Sequence, residues 1–283
     1  LDQTPLPRRT LATPCRFEGH GIHRGEPAVL EVRPADGGEG LQVARADRDW
    51  PSMAASLATA VAEKSDRRTV LNGPEGQVFE QLEHILAALA AEGITDALLL
   101  QTGPEPPFLD GGSRDFADGL ARAGTRELAE TVAPFVVDEP FHLSWEGAEL
   151  VATPHDGLRL SCFVEFPDTV VGCQGISVEI DAASFRREVA AARTFALERD
   201  IEALRAAGLA RGGTLQNAVV FNQTGYLNDA LNFDDEVVRH KVLDLLGDLA
   251  LIGRPLRGHF WAWKAGHRHH VRFAQELVAR GDR

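Results

Sequence analysis

The sequence predicts an α+β fold of two similar domains, each a small β-sheet packed with helices as a two-layer sandwich. Three observations lead there. A length of 283 residues suits one large domain or two ordinary ones. Apolar residues at 44 % and charged residues at 25 % match average globular usage and exclude general disorder. An order of short strands followed by helices occurs twice along the chain, as a pattern without a residue-level repeat.

The first half opens with β-like runs around Thr10–Phe17 and Ala28–Arg33, punctuated by Gly19, Gly21, Gly25 and Pro34. From about Phe79 to Ala91, Leu82, Ile85, Leu86 and Leu89 fall on one helical face. Asp96–Gln101 reads as an apolar strand and Thr102–Gly112 as a loop rich in Pro and Gly. Ser113 is the expected N-cap of a helix from Arg114 to about Ala123. The chain is polar between Thr125 and Val132, and the β pattern restarts at Val132–Val137. The domain boundary is therefore expected in this region, giving domains 1–127 and 128–283.

The second half carries short strands up to Ile180, then helical patterns at Ser184–Ala192 and Glu198–Ala207. A strand near Ala218–Phe221, a strong helix from Asp235 to about Leu251, a strand near His259–Trp263 and a final helix follow. Arg211-Gly212-Gly213 and Asn222–Asn232 read as a turn and a loop.

Charge and cysteine usage narrow the function classes. The balance of 29 basic to 42 acidic residues, net −13, argues against a general nucleic-acid binder. No stretch approaches the ~20 apolar residues of a membrane span. Leu1-Asp2-Gln3-Thr4-Pro5 lacks the pattern of a signal peptide. Cys15, Cys162 and Cys173 are sparse and form no CxxC, which fits reduced thiols and a cytoplasmic location.

The helix Asp235–Leu251 is the most informative stretch. Val238, Val242, Leu245 and Leu249 form its apolar stripe. His240, Asp244 and Asp248 stand at i, i+4 and i+8 in one column, with Lys241 at its edge and Gly247 between the two acids. A His and an Asp four residues apart on a helix can hold one zinc ion together. A solvated face with an i, i+4 hydrogen bond carries the same spacing. A catalytic zinc needs about three protein ligands, and His84, beside Glu83 on the Phe79–Ala91 helix, is the best third candidate. A carboxylate next to a ligand can serve as general base, although a Glu-His pair on an exposed helix face has the same spacing. His267, after Gly266 at the mouth of the last helix, is a candidate general acid. With Glu83 and His84 in the first half and the others in the second, the active site is expected between the domains. The stretch Leu251–Gln275 contains Arg254, Arg257, Lys264, Arg268 and Arg272 and no acid. This local reversal points to an anionic ligand such as a phosphate, or to a patch that balances acidic neighbours.

At this point the chain resembles a known family, the zinc-dependent UDP-3-O-acyl-N-acetylglucosamine deacetylases of lipid A biosynthesis. Gly21-Ile22-His23-Arg24-Gly25 is similar to the family's Gly-Leu-His-x-Gly, and Glu83-His84-Ile85 to its Glu-His-Leu helix. Pro104-Glu105-Pro106-Pro107-Phe108-Leu109-Asp110-Gly111 matches its Pro-Glu-x-Pro-x-x-Asp-Gly loop. Ala192-Arg193-Thr194-Phe195, the block from Asp235 through His240-Lys241 and Asp244 to Gly247-Asp248-Leu249, and Gly266-His267 complete the series.

The resemblance implies roles position by position. His84, His240 and Asp244 would bind Zn2+, Glu83 would be the general base and His267 the general acid. Asp248 would hydrogen-bond His267, Thr194 would help stabilise the oxyanion, and Lys241 would bind substrate near that point. Phe195 would line the sugar site, Phe166 would stack on uracil and Lys264 would contact the nucleotide phosphates. The apolar passage for the acyl chain would correspond to Pro167–Ile180, where Val170, Val171, Ile176 and Val178 are suitably apolar. The implied partner is a UDP-linked acylated amino sugar, with no nucleic acid, no transmembrane segment, transient contact with membrane lipid, and a monomeric state.

Departures from the family pattern fall mainly among recognition positions. Arg268, His269 and His270 stand where the family has Ala-x-Asn, and Glu80-Gln81-Leu82 replaces Ser-Thr-Val. The family's Asp-Gly-Ser-Ala loop is Asp110-Gly111-Gly112-Ser113-Arg114 here. Ala148 lies where a second phosphate-contacting lysine is expected, and Glu198 introduces acid near the acyl path. Two alternatives to the family activity follow: a divergent zinc deacetylase for a different N-acyl amino sugar, and a non-catalytic sugar-nucleotide or lipid-binding paralogue.

Overall fold

The computed structural model describes residues 2–281. Leu1, where the N-terminal reading begins, and residues 282–283 of the expected second domain lie outside them. The first half contains strands β1 (Leu6–Leu11), β2 (Cys15–His20), β3 (Pro27–Pro34), β4 (Leu41–Arg45) and β5 (Met53–Ala54). Then come β6 (Val70–Asn72), β7 (Val78–Glu80), helix α1 (Glu83–Ala91), β8 (Ala97–Thr102), α2 (Arg114–Ala123) and β9 (Thr125–Val132). Five of the strands form one sheet in the order β2-β3-β8-β4-β5, and β1 pairs with β9 in a separate ribbon.

The second half holds β10 (Phe135–Val136), β11 (Phe141–Trp145), β12 (Ala148–Thr153), β13 (Leu158–Phe166), β14 (Gly172–Glu179) and α3 (Ala182–Glu188). It continues with β15 (Thr194–Leu197), α4 (Ile201–Ala206), β16 (Ala218–Phe221), α5 (Glu236–Leu249), β17 (Leu256–Trp263) and α6 (His267–Gly281). Its main sheet runs β11-β12-β17-β13-β14, with β10 added parallel to β17.

The helices of the two halves face each other. α1 packs against α2 and α5, α5 lies on β13 and β14, and α6 lies on β11 and β12. The two sheets thus form the outer layers and the helices the inner ones, and a single apolar core runs through both halves. Strands follow the expected alternation, as in β8 and β12, where every second residue is buried. α5 does not follow the amphipathic pattern of a surface helix: Val237, Val238, His240 and the whole run Val242–Leu249 are buried. An inner-layer helix has no solvated face.

Several local expectations change. The expected Phe79–Ala91 helix begins at Glu83, because Val78–Glu80 pairs with Val70–Asn72 and Gln81 turns the chain at φ 63°. Ser113 precedes α2 but its side chain does not cap it; its hydroxyl donates to the His84 carbonyl at 2.7 Å. α3 starts earlier than expected, on a capping box in which Asp181 accepts from the Ser184 backbone N–H. The polar run Thr125–Val132 is a strand, mostly exposed in its two-stranded ribbon, so no burial-driven alternation marks it. Because β9 passes unbroken through the 127/128 boundary and pairs with β1 of the first half, we propose that the division lies after Val132.

Candidate active site and metal centre

The site is assembled where α1 crosses α5. A Cβ on Gly247 would stand 2.1 Å from the Glu83 carbonyl oxygen, so only glycine allows this approach. It brings Glu83 and His84 of α1 over the His240, Asp244 and Asp248 column of α5. All five side chains are buried, with Glu83 and Asp248 fully so. The solvated-face reading of the column is therefore corrected.

His84, His240 and Asp244 offer ligand atoms that all lie within 4.8 Å of one another. The Nδ1–H of His84 donates to the Gly112 carbonyl at 3.0 Å, and that of His240 to the Ala192 carbonyl at 3.0 Å. Each ring is thereby fixed with its Nε2 lone pair free, the tautomer a metal ligand needs. Burial, helped by neighbouring His240, pushes His84 down to about 3, and burial lowers His240 as well, so both are neutral donors. Burial alone would raise the Asp244 carboxyl, but Lys241 and His240 beside it hold it well below the usual range. Lys241 Nζ donates to Asp244 Oδ2 at 2.7 Å, whereas Asp244 Oδ1 is buried without a hydrogen-bond partner. Two neutral imidazoles, one ionised carboxylate and an orphaned buried oxygen fit a divalent cation. This group could hold a metal ion.

The loops that orient the histidines are themselves anchored. Arg193 donates from its backbone N and its Nε to Glu236 Oε1 at 2.9 and 2.8 Å, which fixes the turn carrying Ala192 and Thr194. Thr194 N donates to the Gly111 carbonyl at 2.8 Å, joining the two loops.

A second layer surrounds the candidate ligands. Glu83 Oε2 accepts from Thr69 N at 3.2 Å, while Oε1 has no partner and lies 3.8 Å from His267 Nε2. Burial pushes Glu83 up to about 7, against the pull of His267. His267 Nδ1–H donates to Asp248 Oδ2 at 2.9 Å. Burial would lower His267, but the carboxylates of Asp248, Asp244 and Glu83 raise it to about 9. Burial likewise opposes ionisation of Asp248, yet His267 and His270 bring it down to about 2. A carboxyl poised near 7 faces a histidine poised near 9, an arrangement suited to moving protons in opposite directions.

The remaining expected residues are distributed around this centre. Phe195 lies with its ring centroid 6.0 Å from that of His240, and Phe166 packs edge-on against Phe195 at 5.6 Å. Lys264 is not brought into the buried cluster; it pairs with Glu165, next to Phe166 in sequence, and lies over Trp263. The basic stretch does not form one patch. Arg254 donates to the Ala133 and Pro134 carbonyls, Arg257 pairs with Asp2, Arg268 with Glu146 and Arg272 with Glu276. His270, in the same stretch of sequence, is fully buried and donates from Nδ1 to Asp248 Oδ2 at 2.8 Å.

Residues 167–180 form a turn and strand β14 of the main sheet, with Val171 and Val178 in the core. An apolar cavity of about 320 Å³ lies along the β15–α4–β16 unit, lined by Ile22, Thr194, Phe195, Ile201, Leu204 and Val220 among others. β15 and β16 pair in parallel with α4 as their crossover, the unit that builds this wall. Sequence reasoning also missed Thr69, the partner of both Glu83 and Asp248. A threonine in Arg68-Thr69-Val70 carries no signal by itself.

An α+β fold with a His/His/Asp cluster that could hold a metal ion, beside a buried carboxyl and histidine suited to proton transfer, fits a hydrolase of the metal-centred class. The family model described as UDP-3-O-acyl N-acetylglycosamine deacetylase matches residues 8–279, and the chain belongs to that family. A UDP-3-O-acyl-N-acetylglucosamine deacetylase of Leptospira biflexa is 36% identical over 277 residues, covering 98% of this chain and 91% of the relative. One of Myxococcus xanthus is 38% identical over 261 residues, covering 92% and 82%. One of Nostoc sp. is 36% identical over 280 residues, covering 97% and 99%. The resemblance drawn from the motifs is thus borne out.

Proposed function

We propose that this chain removes the N-acetyl group from a UDP-3-O-acyl-N-acetylglucosamine, in lipid A biosynthesis and in the cytoplasm, with zinc held by His84, His240 and Asp244. The observation that carries the reading is the convergence of those three donors beside Glu83 and His267. Among the described residues no helix is long and apolar enough to cross a membrane.

The reaction adds water across an amide, giving acetate and a free amine. An amide carbonyl is a poor electrophile and an amine a poor leaving group. When bound, zinc supplies Lewis-acid polarisation of the carbonyl and makes water more acidic. Glu83 Oε1, the oxygen without a partner, takes the proton from the attacking water. The Thr194 hydroxyl helps stabilise the oxyanion that forms on the former carbonyl oxygen. His267, protonated near neutral pH because three carboxylates surround it, gives its Nε2 proton to the departing nitrogen. Asp248 holds the other ring nitrogen and so keeps Nε2 aimed at the site. Lys241 keeps Asp244 ionised and its ammonium close to the substrate.

Substrate parts have matching surroundings. The β15–α4–β16 cavity is the place for the acyl chain, since it is apolar and shares Thr194 and Phe195 with the centre. Phe166 is placed for the uracil and Lys264 for the phosphates, with Glu165 as competitor for that ammonium. This competition, together with Ala148, favours as second reading a zinc deacetylase for an N-acyl amino sugar without UDP. The test is acetate release from the UDP-sugar with and without its 3-O-acyl group. Release that depends on zinc and on the acyl group supports the first reading; release only from amino sugars lacking UDP supports the second.

A further inference from the structure

Thr69 has no place in the roles given so far, yet it touches both the expected base and the residue that orients the expected acid. It is 1% exposed. Its backbone N–H donates to Glu83 Oε2 at 3.2 Å, and its hydroxyl donates to Asp248 Oδ1. Its own carbonyl accepts from Gln81 N at 3.0 Å, which fixes its backbone just before β6. Glu83 stands on α1 and Asp248 on α5, so one residue of the first half spans helices from both halves.

Asp248 receives three side-chain donors on two oxygens. His267 Nδ1 and His270 Nδ1 both donate to Oδ2, at 2.9 and 2.8 Å. An unrestrained carboxylate facing two histidines would turn to give each ring its own oxygen. Here Oδ1 is already taken by Thr69, and both rings are directed to Oδ2.

We propose that Thr69 is a positioning residue: its hydroxyl locks the rotation of the Asp248 carboxylate, and thereby the ring of His267, while its backbone ties that lock to Glu83. The inference rests on the roles of Glu83, Asp248 and His267 under the proposed function. Removing the hydroxyl leaves Oδ1 buried without a donor. The carboxylate then turns to share its oxygens between the two histidines, and His267 Nε2 leaves its place opposite Glu83.

Thr69→Val keeps shape and removes the hydroxyl, and Thr69→Ser keeps the hydroxyl and removes the methyl. In zinc-loaded full-length protein the valine variant is expected to lose roughly 10–100-fold in kcat, as outer partners of metal sites do, with KM and zinc content unchanged. The serine variant is expected to restore kcat. A second readout needs no substrate: the ring N–H proton resonances of His267 and His270 should move in the valine variant and stay in place in the serine variant. If valine prevents folding, alanine replaces it in both measurements. Unmoved ring protons without the hydroxyl, or a serine variant as impaired as valine, would overturn the proposal. A wild-type protein that releases no acetate would overturn the functional reading alone, and the ring protons would still decide the role of Thr69.

Discussion

Replacing Gly247 by alanine tests how the site is put together. The added Cβ would stand 2.1 Å from the Glu83 carbonyl oxygen, 2.7 Å from its carbonyl carbon and 2.9 Å from its Cα. These are backbone atoms, so no side chain can turn away. Ordinary contact begins near 3.4 Å, and reaching it requires α1 and α5 to part by roughly 1 Å in a close-packed interior. Alanine gains about 1 kcal/mol of helix propensity over glycine, and overpacking costs roughly 1–3 kcal/mol. The net effect on stability is therefore small, a loss of a few degrees in Tm at most by the scaling for chains of this size.

Activity should respond far more than stability. Glu83 and His84 ride on α1 while His240, Asp244 and Asp248 ride on α5, so the displacement enters every distance between the two sets. Metal–ligand bonds tolerate about 0.2 Å, and a misplacement of about 1 Å costs roughly 10²-fold in rate. Gly247→Ala is thus expected to retain its circular dichroism spectrum, to lose zinc on dialysis, and to fall about 10²-fold in kcat. Acetate release and elemental analysis read the two effects. A variant that keeps a full complement of zinc and turns over like wild type would refute the idea that this crossing sets the site geometry.

Other perturbations separate the parts. Glu83→Gln should keep zinc and lose roughly 10²–10⁴-fold in kcat; loss of zinc in this variant would make Glu83 a ligand instead. His240→Ala should abolish tight zinc binding, measured by competition with a chelator, and retention of tight binding would remove it from the ligand set. Lys264→Ala should weaken UDP binding and its salt dependence in titrations at two ionic strengths; indifference to both would favour a substrate without UDP. Burial brings His23 and His270 down to about 4 from 6.5. The unfolded chain then takes up protons below pH 6.5 that the folded chain refuses until about 4, so their contribution is full above 6.5 and declines as pH falls through that window. His267 runs the other way, its contribution complete below 6.5 and lost as pH rises toward 9. Denaturant midpoints at pH 6.5 and 5 should therefore fall in that order, and a higher midpoint at pH 5 would contradict the neutral, buried state of His23 and His270.

What was legible in the sequence depended on local periodicity and on paired motifs. α5 and the strand Ala218–Phe221 were legible because their neighbours in sequence decide them. The His240/Asp244/Asp248 column shows as spacing, but its burial does not, since that depends on α1 lying across Gly247. Strands β4 to β7 were not legible: β4 is held by β8 far along the chain, while β5, β6 and β7 are two or three residues long, too short to show a periodicity. The basic stretch around β17 left two readings open, and the second, charges balancing acidic neighbours, describes most of it: charges adjacent in sequence project from different places on a strand and helix and find separate carboxylates. The spacing of His270 gives no sign that the turn into α6 carries it inward to Asp248. The cavity beside Thr194 and Phe195 was not legible for a similar reason: its wall comes from a parallel strand–helix–strand unit whose pairing no local pattern reveals.

The buried charges explain why the chemistry sits between the helical layers. Glu83, Asp244 and Asp248 bring three carboxyl groups into the core, and only Lys241 and protonated His267 stand against them as cations. Each buried ion carries a desolvation cost of several kcal/mol unless it is paired and hydrogen-bonded. Asp248 meets that condition through Thr69, His267 and His270, and Asp244 Oδ2 meets it through Lys241. Asp244 Oδ1 and Glu83 Oε1 do not. Of the six oxygens of these three carboxyls, the two without a partner therefore both face the centre; one lies among the candidate metal ligands and the other faces His267 Nε2. Within this cluster, stability is given up at the two atoms that a cation and a reacting water would use.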